Sequence, residues 1–112
     1  MNTEERKLNF LLMKLTKEFE PIRQWAGERD IFTQGTIDGQ LKKLIEETKE
    51  VSDALEKGDE REFIDAIGDT IISAVNLAKI KGYDAEHCVN IAFKEIKDRK
   101  GKMINGTFVK NI

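Results

Sequence analysis

The sequence predicts an all-α protein: an antiparallel bundle of four to five helices followed by a short C-terminal hairpin or extended tail. Apolar residues recur at helical spacing along most of the chain. Charged residues make up 36% of it against 39% hydrophobic, with one Pro and few aromatics, the profile of helices with long solvated faces. Residues that start and stop helices punctuate the pattern at regular intervals. At 112 residues the chain has the size of one domain, residues 1–112.

Leu8, Leu11, Leu12 and Leu15 give a first helix its apolar face, with Thr3 as the expected N-cap. Pro21 is expected to interrupt or kink that helix, leaving a short helix through Ile22 and Trp25 and then a loop, "RDIFTQGT". Thr36 or Asp38 caps the next helix, which runs to about Lys57 and stops at Gly58. Asp59 caps a helix whose core face is Phe63, Ile64, Ile67, Ile71, Val75 and Ala78, ending at Gly82. Asp84 caps the last helix, with Val89, Ala92, Phe93 and Ile96 inside. In the tail, residues 101–112, Asn105-Gly106 between Met103-Ile104 and Phe108-Val109 is a hairpin signal.

Composition narrows the function. A net charge of −2 gives no general nucleic-acid or membrane surface. The single Cys, Cys88, builds neither a disulfide framework nor a thiolate zinc site, so the chain reads as cytoplasmic. The opening "NTEERK" and the shortness of the apolar runs suggest neither a signal peptide nor a membrane span.

The chemistry lies in "KKLIEETKEVSDAL", Lys42 to Leu55, and "EFIDAIGDTI", Glu62 to Ile71. At about 100° per residue, Leu41, Leu44, Ile45, Thr48, Val51 and Leu55 form the core stripe of the first. Gln40, Lys43, Glu47, Glu50 and Ala54 fall on an adjoining stripe. On the second helix Glu62, Asp65, Asp69 and Asn76 share a stripe beside the core. Two antiparallel helices joined by a tight turn bring these stripes face to face. Carboxylates converging in a half-buried groove repel one another unless a cation sits among them, and oxygen-only ligands select a hard ion, Mg²⁺ first. Pairing of Lys42, Lys43 and Lys49 with Glu46, Glu47 and Glu50 on a solvated face uses the same spacing. Glu62, three residues after Asp59, also fits a capping box.

"QLKKLIEETKEVSDAL" followed by "IDAIGDTIISAVNLA" resembles the MazG-like, all-α nucleoside triphosphate pyrophosphohydrolases. That family carries E-x-x-E on one helix and E-x-x-D on the next, holding Mg²⁺ in a bundle assembled through oligomerisation. The first motif matches as Glu47 and Glu50, preceded by Glu46; the second matches at Gly68-Asp69 and departs at Ala66, where the family has Glu. Asp65 is the nearest replacement. "IDAIGDTI" and "KDRKGKMINGTFVK" are similar to the short, phage-type branch. The resemblance, with "QWAGER", runs from about Ile22 to Lys110 and leaves residues 1–21 outside it.

The resemblance implies cleavage of a nucleoside triphosphate between its α and β phosphates, giving a monophosphate and pyrophosphate. It makes Glu47, Glu50, Asp65 and Asp69 the metal ligands, with Mn²⁺ as a substitute ion, and Glu46 the base that orients water. Trp25, Arg29, Gln40, Lys43 and Asn76 become substrate contacts, and Lys94, Lys97, Arg99 and Lys102 the cations facing the phosphates. For these last four a solvated face and a favourable helix C-terminus is the competing account; for Trp25 it is a core anchor.

A di-iron bundle fails for want of Glu-x-x-His pairs, as His87 is the one His. A non-catalytic helical oligomer that binds nucleotide or regulates is the alternative function. A nucleic-acid binder using "KDRKGK" runs against the overall acidity. Protomers this small seldom close a pocket alone, so a homodimer or homotetramer is expected.

Overall fold

A computed structural model describes residues 2–111. Its order is α1 (Thr3–Glu28), α2 (Ile31–Gln34), α3 (Ile37–Lys57), α4 (Glu60–Lys81), α5 (Ala85–Ile96), β1 (Gly101–Ile104) and β2 (Thr107–Lys110). The all-α bundle with a short C-terminal hairpin is the architecture the sequence predicts. Among the described residues no helix is long and apolar enough to cross a membrane.

Side-chain caps set most boundaries. Thr36 Oγ1 accepts from Gly39 N at 2.9 Å and Asp59 Oδ1 from Glu62 N at 3.0 Å, starting α3 and α4. Gly58 ends α3 at φ 66°, a conformation that a side chain disfavours. The tail closes as an antiparallel ribbon with Ile104 opposite Thr107 across Asn105-Gly106.

Four local expectations are corrected. The first helix is capped by Asn2, whose Oδ1 accepts from Glu5 N at 2.8 Å, so Thr3 is already helical. Pro21 does not interrupt it: α1 runs unbroken through Pro21 to Glu28. Proline removes one helix hydrogen bond, but packing of the next turns, where Arg23 and Ala26 are buried, holds the helix together. Part of the expected loop is the one-turn helix α2. Asp84 stands at the N-cap of α5 without a side-chain capping bond; its carboxylate lies 3.5 Å from Lys79 Nζ instead.

α3 and α4 form the tightest helix pair, and they meet through their polar stripes. Ala54, Ala66 and Glu47 are buried, while Ile45, Leu55 and Ile64 are 60%, 63% and 69% exposed. The stripe assigned to the core of α3 thus lies largely open in the protomer, and that of α4 is open at Ile64, Ile67 and Ile71 but buried at Val75. Small Ala54 and Ala66 allow the close approach. Val75 is the largest fully buried side chain among the described residues. A buried ion pair fastens α1 to α5: Arg23 Nη1 and Nη2 donate to Glu86 Oε1 and Oε2 at 2.7 and 2.8 Å.

Candidate metal centre and cleft

α1, α2, α3 and α4 enclose a cleft of about 860 Å³. Pro21, Ile22 and Trp25 of α1 and Ile31 of α2 make an apolar wall, with Gln34, Gly35 and Thr36 closing one end. Gly35 is required there, because a Cβ would fall 2.3 Å from the Ile31 carbonyl oxygen. Gln40, Lys43 and Glu47 line the α3 side at successive turns, and Asp69, Ile72, Ser73 and Asn76 the α4 side.

Carboxylate oxygens of Glu47, Glu50 and Asp69 lie within 4.8 Å of one another. Glu47 is 4% exposed; its Oε1 is 2.9 Å from Lys43 Nζ, while its Oε2 is buried without a hydrogen-bond partner. Burial raises the Asp69 carboxyl above its ordinary range, the negative charges of Asp65 and Glu47 add to this, and Lys43 opposes it. Glu50 is raised chiefly by the close approach and negative charge of the Glu47 carboxylate, with smaller contributions from burial and Asp69. Lys43 is raised in turn by its hydrogen bond to Glu47. The directions agree with the geometry, in which three carboxylates share one lysine. A hard cation fits it: three carboxylates converge, and one buried oxygen has nothing to bind.

Of the residues singled out in the sequence, Trp25, Gln40, Lys43, Glu47, Asp69 and Asn76 meet in this cleft. Arg29 reaches its edge by stacking on Trp25, with its guanidinium carbon 4.5 Å from the ring centroid. Asn76 is 4% exposed and its Oδ1 has no partner. Asp65 is exposed and its charge bears on Asp69, but it does not join the group of three; Glu46 is exposed and outside it. Ala66 is 2% exposed, packed between helices where the family motif places Glu. Lys94, Lys97, Arg99 and Lys102 do not line the cleft of their own protomer. Lys97 instead lies 3.5 Å from Glu4, in the first turn of α1.

Sequence reasoning missed Ser73, Gln34 and the apolar wall of Pro21, Ile22 and Ile31. Ser73 lies one turn after Asp69 and one before Asn76, so continuing the acidic stripe along α4 reaches it. The α1 and α2 residues carry no such signal, since their place depends on how α1 crosses α4.

Fold and site together define an all-helical protein whose central helical hairpin presents clustered carboxylates to an apolar-walled cleft. The profile of the MazG nucleotide pyrophosphohydrolase domain matches residues 36–104, and the chain belongs to that family. No curated protein and no solved structure matches it.

Proposed function

We propose that the protein is a Mg²⁺-dependent nucleoside triphosphate pyrophosphohydrolase, acting on ribo- or deoxyribonucleoside triphosphates and releasing the monophosphate and pyrophosphate. The observation that carries this is the buried, unpartnered Oε2 of Glu47 within a three-carboxylate cluster at the side of a nucleotide-sized cleft. Family membership supports the reaction class.

Glu47, Glu50 and Asp69 hold the cation, with Asp65 completing the set from the preceding turn of α4. When bound, Mg²⁺ or Mn²⁺ offsets triphosphate charge and lowers the pKa of a water. Glu46 orients the attacking water and accepts its proton on a carboxylate oxygen. Lys43 positions Glu47 through its 2.9 Å ion pair and presents positive charge to the phosphates. Trp25 stacks on the base, with Arg29 behind it, and the carboxamides of Gln40 and Asn76 read the base edge. The apolar wall excludes water from that end.

The active form is a homodimer or a dimer of dimers. Ile45, Leu55 and Ile64, more than half exposed on adjoining helices, leave a protomer whose main apolar face lacks cover. Exposed, unpaired Cys88 fits a reducing cytoplasm.

Incubation with a panel of nucleoside triphosphates, with and without Mg²⁺, tests the reading. Mg²⁺-dependent monophosphate and pyrophosphate are expected. Folded protein that binds nucleotide without turnover favours the non-catalytic alternative, which the Ala66 departure makes specific.

A further inference from the structure

Ser73 lines the cleft on α4 and is only 4% exposed, yet its hydroxyl is unspent. A hydroxyl inside a helix ordinarily turns back to the carbonyl four residues earlier. Thr48 and Thr70 do so, donating to Leu44 O at 2.8 Å and to Ala66 O at 2.7 Å. Ser73 does not: among the described residues its hydroxyl has no hydrogen-bond partner. A polar group held this far from solvent calls for a partner that the cleft's occupant can supply.

The neighbours of Ser73 say which part of the occupant that is. Asp69, one turn earlier, belongs to the carboxylate cluster, the phosphate end of the cleft. Asn76, a turn later, is buried with Oδ1 unpartnered and stands at the base end. At helical rise Ser73 is about 6 Å along α4 from Asp69 and about 4.5 Å from Asn76, and the three fall within roughly 60° of one another around the axis. Phosphate, sugar and base follow one another in the same order in a nucleotide. A nucleotide laid along α4 therefore brings its sugar against Ser73.

The other walls leave that level to Ser73. Lys43, which lines the α3 side between Gln40 and Glu47, is turned to Glu47 at 2.9 Å. Pro21, Ile22 and Ile31 carry no side-chain donor or acceptor.

We propose that Ser73 is the sugar-reading residue of the cleft: its hydroxyl exchanges a hydrogen bond with a sugar hydroxyl, at C2′ or C3′, of the bound nucleotide. This rests on the nucleotide reading given under the proposed function and deepens it by naming the residue that sets sugar preference. A site that spends a buried hydroxyl in this way discriminates against a ligand lacking the matching group.

The test is a set of calorimetric titrations of the full-length protein and of Ser73→Ala in Mg²⁺. The ligands are α,β-methylene analogues of a ribo-, a 2′-deoxyribo- and a 2′,3′-dideoxyribonucleoside triphosphate, all carrying the base that binds best in the triphosphate panel. Ser73→Ala should fold as the wild type does, because it gives up no hydrogen bond and Ala is the better helix former. In the wild type, removing the hydroxyl that Ser73 reads should weaken binding by roughly 2- to 10-fold, the range of one neutral hydrogen bond. Ser73→Ala should abolish that step and leave the dideoxy analogue's affinity as it was. A step lost between the ribo and deoxy ligands assigns the contact to the 2′ hydroxyl, and one lost between the deoxy and dideoxy ligands to the 3′ hydroxyl. Equal weakening of all three ligands would make Ser73 a packing residue and overturn the inference. So would wild-type affinities throughout. Affinity contrasts as expected, with no monophosphate formed from natural triphosphates, would remove the enzymatic reading alone; failure of every analogue to bind would remove the nucleotide reading and this inference with it.

Discussion

Lys43 holds Glu47 by one carboxylate oxygen, 2.9 Å away, and leaves the other oxygen buried and unbound. The pair is half open to solvent on the lysine side and almost closed on the glutamate side. A buried carboxylate with one partner is costly, and removing that partner leaves it uncompensated. Lys43→Ala is therefore expected to destabilise the metal-free protein by about 1–2 kcal/mol, the lower range being set by the exposed lysine. Excess Mg²⁺ should restore most of the loss, because a cation takes over the compensation. Urea unfolding with and without Mg²⁺ measures both, and equal stability of wild type and variant without metal would show that Glu47 does not depend on Lys43.

Glu50→Gln and Asp69→Asn should separate stability from activity. Both carboxyls are raised by negative neighbours or burial, so neutral replacements relieve repulsion instead of breaking a favourable pair. Melting temperatures without metal should stay level or rise. Stabilisation by Mg²⁺ should shrink, and turnover should fall by roughly 100- to 1000-fold, as when one electrostatic contact to the transition state is lost. Normal hydrolysis by either variant would remove it from the proposed ligand set.

Helix caps and period were legible because they are local: Thr36, Asp59 and Gly58 act within a few residues of themselves. Convergence of Glu47, Glu50 and Asp69 was legible for the same reason, since a tight turn leaves α3 and α4 few ways to pair. Period, however, says which residues share a face and not what covers it. Hence Ile45 and Leu55, assigned to the core, are exposed in the protomer while Glu47 is buried. Continuity of α1 through Pro21 depends on packing of Arg23, whose partner Glu86 is 63 residues away. No window along the sequence contains that pair.

Trp25→Ala distinguishes a base platform from a packing anchor. The indole is 47% exposed, lines the cleft and carries Arg29 on its face. Stacking of a base on an aromatic ring contributes about 1–3 kcal/mol, so the Michaelis constant should rise roughly 5- to 150-fold with a small change in turnover number. The melting temperature should change little for a half-exposed side chain. A large drop in stability with an unchanged Michaelis constant would make Trp25 an anchor.

The Arg23–Glu86 pair predicts a pH dependence away from the metal site. Burial pushes the Glu86 carboxyl up, but hydrogen bonds from Arg23, from its own backbone N–H and from Thr16 outweigh this and hold it below its ordinary value of 4.5. Arg23 is raised chiefly by its bond to Glu86, against burial, with help from Glu20 at 2.6 Å. A carboxyl depressed in the folded state contributes stability that is fully present above its unfolded value. That contribution is lost as pH falls below 4.5 through the depressed folded value. Glu86→Gln removes it at every pH and leaves a buried guanidinium short of charge, costing about 3–5 kcal/mol near neutrality. For a domain of this size that is a fall in melting temperature of roughly 12 °C or more. The curves of wild type and variant against pH should converge as pH drops below 4.5, because the wild type loses what the variant already lacks. Parallel curves down to the acid transition would mean that Glu86 is not ionised against Arg23 in the native protein.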